Sequence, residues 1–377
     1  MPIYANYAAT TPALSEAVVK ELREYVGGTH LNAGRNFEGL EAGAIALRAR
    51  RAIGKLFGVS DPLRVIFSGG ATQSLNMAIH GLVRPGDHVL ATGVEHNATA
   101  RPLEALRKDG VIELDWIQCD PDASLDPEKI RSYIRKNTRL LVMTHASNVL
   151  GTVLPVQECC RIAREYGVLT ILDMAQTAGV LPFTVEDYFD VAAFAGHKGL
   201  RGLAGSGGFV LGESAAERMR PWISGGTGSG SHSLDMPEFL PDRFEPGTQN
   251  TIGILSLAAS VEEILRTGVE SIRERERVIT ARFLSGLRTI KKIRVCGTLD
   301  PDRSVSVVSV VIPGRDAADV SRLLFEGRGI ITRSGLHCSP LAHRTAGTFP
   351  GGTVRFSFGN GTREDEIDAI LEALDNL

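Results

Sequence analysis

The chain lacks the features that mark secreted, membrane and nucleic-acid-binding proteins. Among its 377 residues are only five cysteines, an odd number with no C-x-x-C pair, which indicates neither a disulfide framework nor a zinc site. No stretch reaches the roughly 18–20 apolar residues of a membrane span, and no signal peptide opens the sequence. Lysine and arginine form no dominant run and the net charge is −3, which argues against nucleic acid or an anionic membrane as partner. We therefore expect a cytoplasmic protein.

The sequence does contain an alternation of helical patterns and short apolar runs between about residues 35 and 212. Hydrophobic residues make up 43% of the chain and charged residues 23%, as in ordinary folded proteins. The alternation predicts an α/β fold with a mainly parallel sheet covered by helices on both faces. The seven predicted strands are RVIF, DHVLAT, ELDWIQ, RLLVMTHA, LTILDMA, VAAFAG and GGFVL. In such sheets ligands bind beyond the carboxyl ends of the strands.

A change of composition after the seventh run indicates a domain boundary. The Gly/Ser-rich stretch SGGTGSGSHS and the Pro-bearing segment MPEFLPDRFEPGTQN precede a long helical pattern over about 253–290. Beyond it come strands near VSVVSVVI, a loop RSGLHCSP, a strand TVRFSF and an amphipathic helix. This order predicts a smaller α+β domain. We expect a large α/β domain over residues 15–255 and a small domain formed by residues 1–14 and 256–377.

Three features after the predicted strands can carry chemistry. The segment VIFSGGATQSLN reads as strand, glycine-rich turn and helix, which directs free backbone N–H groups at an anion. Asp173 ends an apolar strand, and Lys198 follows another one 25 residues later. Each feature alone also fits an ordinary turn, a helix cap or a surface lysine. Together they form the set that holds pyridoxal phosphate, with phosphate on the helix, the carboxylate on the ring nitrogen and lysine as Schiff base.

Cys338 differs from the other cysteines in its surroundings. A lone cysteine is usually an inert core residue, and Cys159 and Cys160 fit that role on the apolar face of a helical segment. Cys338 instead lies in a glycine- and serine-containing loop beside Arg333 and His337. An exposed, electropositive setting of this kind favours the thiolate. We therefore expect Cys338 to be a nucleophile.

A series of motifs gives the chain a specific resemblance. In order and over nearly the whole length it contains AATTP, SGGATQSLN, EHN, HASNVLGT, GHK, FEPGTQN, RSGLHC and VRFSFGN. Together they resemble the cysteine desulfurase and selenocysteine lyase family of class V, fold-type I pyridoxal-phosphate enzymes, and SNVLGT and R-x-G-x-H-C resemble its second subgroup. The resemblance implies a homodimer, a large domain with a mainly parallel, mixed seven-stranded sheet and a smaller α+β C-terminal domain.

The resemblance also implies a role for each matching residue. Lys198 would carry the cofactor, Asp173 would pair with the ring nitrogen and His96 would stack on the ring. The other positions that match cofactor contacts are Gln176, Asn148, Ala71, Thr72, His197 and, from the neighbouring subunit, Thr248. The substrate would be bound by Arg355, through its carboxylate, and by Asn148 and Ala8. Cys338 would accept sulfur, and no metal is expected.

The implied activity is the conversion of L-cysteine to L-alanine with transfer of sulfur to Cys338 as a persulfide. An acceptor thiol or protein would then take the sulfur, for example in iron–sulfur cluster assembly. A selenocysteine lyase or a C–S β-lyase on another sulfur amino acid would use the same residues. A class V aminotransferase would need Lys198, Asp173 and Arg355 but not Cys338. A non-catalytic scaffold that binds the cofactor or a partner protein is the last alternative.

The chain departs from the family pattern around the expected pocket. The family usually opens with Asp-Asn-Ala-Ala-Thr-Thr, whereas Asn6 and Tyr7 precede Ala8 here. Ala195 stands where many relatives have a serine that binds phosphate. After Arg355, GNGT replaces a stretch that carries aromatic residues. We expect a wider pocket, with the ring of Tyr7 close to the substrate entrance.

Overall fold

A seven-stranded sheet forms the centre of the protein. The computed structural model describes residues 2–28, 40–185 and 188–377. All seven predicted strands are confirmed. They are β2 to β8, at Val65–Ser68, Asp87–Thr92, Ile112–Ile117, Thr138–Thr144, Leu169–Asp173, Val191–Ala195 and Gly207–Leu211.

The strand order explains why distant segments meet at one edge of the sheet. The order is β2-β8-β7-β6-β5-β3-β4. Strands β3 to β7 pair in parallel, and β8 is antiparallel to both of its neighbours. The register places Thr144 beside Asp173 and Asp173 beside Ala193. The carboxyl ends of β5, β6 and β7 therefore lie together, where ligands bind in open α/β sheets. The predicted mixed, mainly parallel sheet is confirmed.

Helices cover both faces of this sheet. Alternate residues of a strand point to opposite faces, so that Val65 and Phe67 enter one hydrophobic core and Ile66 enters the other. The helices are α1 to α12, at Glu16–Val26, Leu40–Phe57, Ala71–Leu82, Asn97–Lys108, Lys129–Tyr133, Val156–Glu165, Glu213–Arg218, Thr251–Thr267, Val269–Leu287, Ala317–Arg328, Pro340–Thr345 and Glu364–Asp375. Short 3₁₀ turns lie at Pro62–Arg64, Asp242–Phe244 and Pro301–Arg303. Within the described ranges, no helix has the length and apolar character needed to cross a membrane.

A second, antiparallel sheet follows along the chain. Its four strands have the order β12-β13-β10-β9, and they span Arg333–Gly335, Thr353–Ser357, Val307–Val311 and Arg294–Cys296. The prediction of a loop over RSGLHCSP is therefore wrong for its first three residues, which pair with β13. The long helical pattern predicted over about 253–290 forms two helices, α8 and α9. They are separated by Gly268, whose φ of 83° is unfavourable for a residue with a side chain.

The N-terminal segment joins the second half of the chain. Strand β1, Ile3–Tyr4, pairs in parallel with β11, Ile330–Ile331. Asn6 forms a bridge to Ser357 at the end of β13. The residues after β1 therefore lie between the two larger sheets, beside the strand ends that carry the predicted site. The expected domain boundaries stay a prediction.

Candidate active site

The glycine-rich turn before α3 forms an anion cradle. Gly70 precedes the helix with a φ of 137°, and no side chain caps its first N–H groups. A methyl group on Gly207 of β8 would lie 2.6 Å from Cα of Gly70. These two glycines therefore allow the strand and the turn to approach closely and leave the N–H groups of Ala71 and Thr72 free. Such a helix end attracts phosphate.

Asp173 and Lys198 face each other across the neighbouring strand ends. Burial raises the pKa of Asp173, while the backbone N–H of Ala175, 2.8 Å from Oδ1, and the charge of Lys198 oppose that shift. Burial lowers the pKa of Lys198 to about 8, against the attraction of Asp173. A substantial fraction of the lysine is therefore a neutral amine near pH 8. A desolvated amine of this kind reacts with carbonyl groups.

Two histidines complete the walls. His96 caps α4, and its Nδ1 accepts the N–H of Ala98 at 3.0 Å. Burial, assisted by the charge of Lys198, lowers the pKa of His96 to about 4, so that its ring is neutral. His197 shares a hydrogen bond of 3.1 Å with the hydroxyl of Thr10.

Eight of the residues predicted from the sequence line one cavity of about 170 Å³. They are Ala71, Thr72, His96, Asn148, Asp173, Gln176, His197 and Lys198. Ala195 lines it too and offers no hydroxyl group. Thr248 does not line this cavity and lies exposed on a separate loop. Ala8 lies behind Gln176, whose Nε2 donates to the Ala8 carbonyl at 3.2 Å.

Arg355 on β13 lies next to this cavity and is 1% exposed. Its guanidinium donates to the Asn148 carbonyl at 2.9 Å and to Asn6 Oδ1 at 3.1 Å. Its Nε is buried and has no partner among the described residues. Burial, with repulsion from Arg333, lowers the pKa of Arg355 to about 9. The side chain thus stays cationic at neutral pH and keeps a free donor for a carboxylate.

The loop that carries Cys338 is held against the cavity. Of the five cysteines, all within the described ranges, only Cys338 is exposed. Its φ is 58°, in the left-handed region, and Arg333 donates to Sγ at 3.4 Å. The amide of Asn148 donates to the His337 carbonyl at 2.8 Å and accepts from the Ser339 hydroxyl at 2.7 Å. Asn148 therefore fixes the residues on both sides of the thiol.

Tyr7 fills the space expected for a wider pocket. A methyl group added to Gly359 would overlap the ring of Tyr7, and one added to Gly361 would lie 3.0 Å from its hydroxyl. The glycines that replace the aromatic residues of the family thus make room for the ring. Two departures from the family pattern compensate for each other in volume.

Sequence reasoning missed one residue close to the cavity, Glu95, and one contact, that of the Asn148 amide with the Cys338 loop. Glu95 is fully buried, is hydrogen-bonded to the Thr92 hydroxyl and accepts the Thr144 N–H at 2.7 Å. Burial raises the pKa of Glu95 to about 8, so that the group is mostly protonated at neutral pH. Glu95 could have been noticed because it lies between a buried strand and His96 in the sequence. No sequence pattern indicates that the amide of Asn148 binds the Cys338 loop.

The arrangement fits pyridoxal phosphate. The uncapped turn of α3 can hold a phosphate, Asp173 can face a protonated ring nitrogen, and the amine of Lys198 can bond to an aldehyde. Within the described ranges, no group of three or more His, Cys, Asp or Glu residues is placed to hold a metal ion.

Comparisons with known proteins identify the family of the chain and related structures. The model of the family described as aminotransferase class V matches residues 3–370. The chain is 32% identical to a probable cysteine desulfurase of Methanothermobacter thermautotrophicus, covering 100% of this chain and 94% of that protein. It is 30% identical to a cysteine desulfurase of Haloferax volcanii, with 99% and 88% coverage. The apo structure of a cysteine desulfurase from Thermococcus onnurineus superposes with a TM-score of 0.92 at 28% identity, over 100% of this chain and 94% of that one.

Proposed function

The chain belongs to the class V aminotransferase family, and we propose that it is a pyridoxal-phosphate-dependent cysteine desulfurase that releases L-alanine. The family is generally dependent on this cofactor. The observation that carries the proposal is the exposed Cys338, held beside the cavity in which Lys198 meets Asp173. The names of the most similar relatives support the same activity.

The cofactor would be held at both ends of the cavity. The N–H groups of Ala71 and Thr72, with His197, would bind the phosphate, and Asp173 would pair with the ring nitrogen. His96 would stack on the ring, and Gln176 would contact its oxygen. When bound, the cofactor supplies an aldehyde for amines and a ring that accepts electron density from the substrate.

The protein groups would then perform the proton and sulfur transfers. Arg355 binds the carboxylate of cysteine, and Lys198, with a pKa of about 8, takes the α-proton as a base and returns a proton to the carbon skeleton. The Cys338 thiolate attacks the substrate sulfur. An S–S bond forms as the substrate C–S bond breaks, and the electron pair of that bond stays with the carbon skeleton, which takes up a proton to give alanine. Cys338 keeps the sulfur as a persulfide.

The persulfide would pass from the exposed loop to an acceptor. Because Cys338 is exposed, an acceptor thiol or protein can approach it directly. Iron–sulfur cluster assembly in the cytoplasm is the use that we expect for this sulfur.

We also propose that the protein is a homodimer. Thr248 is exposed and lies outside the cavity of its own chain, as expected if it reaches the phosphate of the neighbouring subunit. Large apolar side chains on the same stretch of chain, Trp222, Leu234 and Phe239, are exposed as well. Sedimentation at micromolar concentration should give the mass of two chains, and the mass of one chain would contradict the dimer.

Release of sulfide and alanine from L-cysteine tests the proposed activity. With a reductant present, wild type should form the two products in equal amounts, whereas Cys338→Ala should form neither. Both proteins should show the absorbance of the bound cofactor, because Cys338 does not line the cavity. Product formation that needs a 2-oxo acid and persists in Cys338→Ala would instead identify an aminotransferase.

A further inference from the structure

A second cavity adjoins the active site, and most of its wall has no role in the proposed reaction. It is partly open to solvent, has a volume of about 250 Å³ and shares only Gln176 and Lys198 with the first cavity. Its wall combines the N-terminal segment from Tyr7 to Ser15 with residues of β10, of helices α8 and α9, and of the loop that follows β13. This volume lies below the roughly 300–1,000 Å³ of pockets for drug-sized ligands, so that it suits a ligand no larger than a small amino acid.

Glu276 and Arg201 face this cavity without a hydrogen-bonded partner in the described part of the chain, and the nearby Glu263, which also lines it, attracts Arg201 as well. Glu276 on α9 is 6% exposed, and its carboxylate makes no hydrogen bond or ion pair with any described residue. The Arg201 side chain also makes none within the described ranges. The two charges attract each other but lie beyond ion-pair distance. A buried, unpaired carboxylate is unfavourable unless a bound group compensates it.

The electrostatics of Glu276 agree with an incomplete site. Burial raises its pKa to about 7, although Arg201 and Arg273 both oppose the shift. Arg273 is already engaged by the carbonyls of Pro301, Asp302 and Ser304. Arg201 has a φ of 59°, a left-handed backbone that is uncommon for a residue with a side chain. Such conformations persist where packing imposes them, and they cluster at ligand sites.

The remaining wall defines the chemistry of the ligand. A guanidinium binds carboxylates through paired N–H donors, and a carboxylate binds an ammonium group. Besides these charges and Glu263, the wall contains the apolar side chains of Val180, Val305, Val307 and Phe358. We propose that this cavity binds a free α-amino acid with a small apolar side chain, its carboxylate on Arg201 and its ammonium on Glu276.

The position of this site links it to the active site. Gln176 lines both cavities, and its amide donates to the Ala8 carbonyl at 3.2 Å. Thr11, also in the wall of the second cavity, donates through its hydroxyl to the carbonyl of Lys198 at 2.8 Å. An amino acid bound there therefore contacts the segment that separates it from the catalytic lysine.

Calorimetric titration of L-valine into the cofactor-loaded protein tests the proposal. We expect saturable binding of one L-valine per chain, which persists after the cofactor absorbance has stopped changing. Glu276→Gln and Arg201→Gln should each raise the dissociation constant at least about tenfold, since each removes one charged contact. The matched changes Glu270→Gln, exposed on the same helix, and Arg288→Gln, outside the cavity, should leave it unchanged.

Three results would overturn the proposal. The first is the absence of saturable heat in wild type. The second is binding by Glu276→Gln and Arg201→Gln that equals binding by wild type. The third is heat and absorbance that saturate together in all variants, which places L-valine only at the active site. Thermal unfolding of each variant shows that a loss of binding is not a loss of fold. The proposed desulfurase activity is measured separately, so that either idea can fail without the other.

Discussion

At the scale of single residues, Asn6 sets the charge around Arg355. The guanidinium is almost fully buried, contacts a neutral amide and a backbone carbonyl, and has no carboxylate within ion-pair distance among the described residues. The family usually has aspartate at the Asn6 position. A neutral partner leaves the full positive charge of Arg355 for an anionic ligand.

We therefore expect Asn6→Asp to weaken the binding of L-cysteine. The new carboxylate would pair with Arg355 and compete with the substrate carboxylate, which should raise KM about tenfold, or about 1.4 kcal/mol, with little change in kcat. Steady-state alanine formation measures both constants. Asn6→Ala, which loses the hydrogen bond but adds no charge, is the control and should raise KM less. Equal KM values for wild type and Asn6→Asp would contradict this reasoning.

The candidate site was predictable from sequence wherever a functional residue lies at the end of a buried strand or shortly after it. Asp173 is the last residue of β6, Lys198 follows shortly after β7, and the structure brings both into one cavity. Glu276 was not predictable, because a glutamate in a helix rich in charged residues usually faces solvent. Its burial depends on packing against segments far away in the chain. The contact of Tyr7 with Gly359 was not predictable either, because it depends on how the tyrosine ring fills space in the folded chain.

At the scale of elements, the close contact between β8 and the turn before α3 shapes the phosphate cradle. Gly207→Ala should push the strand away from Gly70, because the added methyl group would lie 2.6 Å from its Cα. We expect the dissociation constant for pyridoxal phosphate to rise at least about tenfold, with a stability loss of about 1–3 kcal/mol from overpacking. Absorbance titration and urea unfolding measure the two effects.

Gly43→Ala is the matched control for this change. Gly43 lies within α2, and a methyl group there would meet nothing within 4 Å. Alanine favours a helix over glycine by about 1 kcal/mol, so this variant should bind the cofactor normally and be no less stable. Normal cofactor affinity in Gly207→Ala would show that the cradle tolerates a wider separation.

The elements themselves were largely predictable. Most strands of the central sheet are buried on both faces and therefore appear as short apolar runs, whereas the edge strand β4 is fully buried only at its two ends. The errors arose at a short edge strand, Arg333–Gly335, and at Gly268, which separates α8 from α9. An edge strand of three residues has too few positions for a periodic pattern. One glycine inside a helical pattern does not reveal its φ.

At the scale of the whole molecule, buried histidines should make the protein sensitive to acid. Burial lowers the pKa of four of them from 6.5 to between about 2 and 4: His96, His145, His337 and His343. As the pH falls below 6.5, the unfolded chain takes up protons that the folded chain does not, so the free energy of unfolding decreases. Glu95 and Glu276 act in the opposite sense, because they are protonated in the fold below about pH 7.

Near pH 5.5, the four histidines take up about four protons on unfolding and the two glutamates release about two. The net uptake is therefore about two protons. Smaller shifts act in both senses, in His80, His88 and His197 and in Asp173, Asp190 and Glu245. We expect the free energy of unfolding to fall by roughly 2 kcal/mol per pH unit between pH 6 and 5. Urea unfolding at both values measures this slope.

His145 offers a control for the origin of this slope. Its ring packs on Phe183, with the ring centres 4.6 Å apart, and its Nδ1 has no hydrogen bond among the described residues. His145→Phe keeps an aromatic ring that cannot take a proton. Its slope should be smaller by up to about 1.4 kcal/mol per pH unit. An unchanged slope would assign the acid sensitivity to other groups.

The bridge between Asn6 and Ser357 has a consequence for synthesis on the ribosome. The Ala8 N–H donates to the hydroxyl of Ser357, 349 residues later. At about 5–20 residues per second, roughly 20–70 s separate the translation of these two residues. During that time the nascent chain can complete the sheet that carries Asp173 and Lys198, while Arg355 has not yet been made. On the proposed roles of these residues, the growing polypeptide would thus assemble its cofactor cradle long before it could recognise an amino acid.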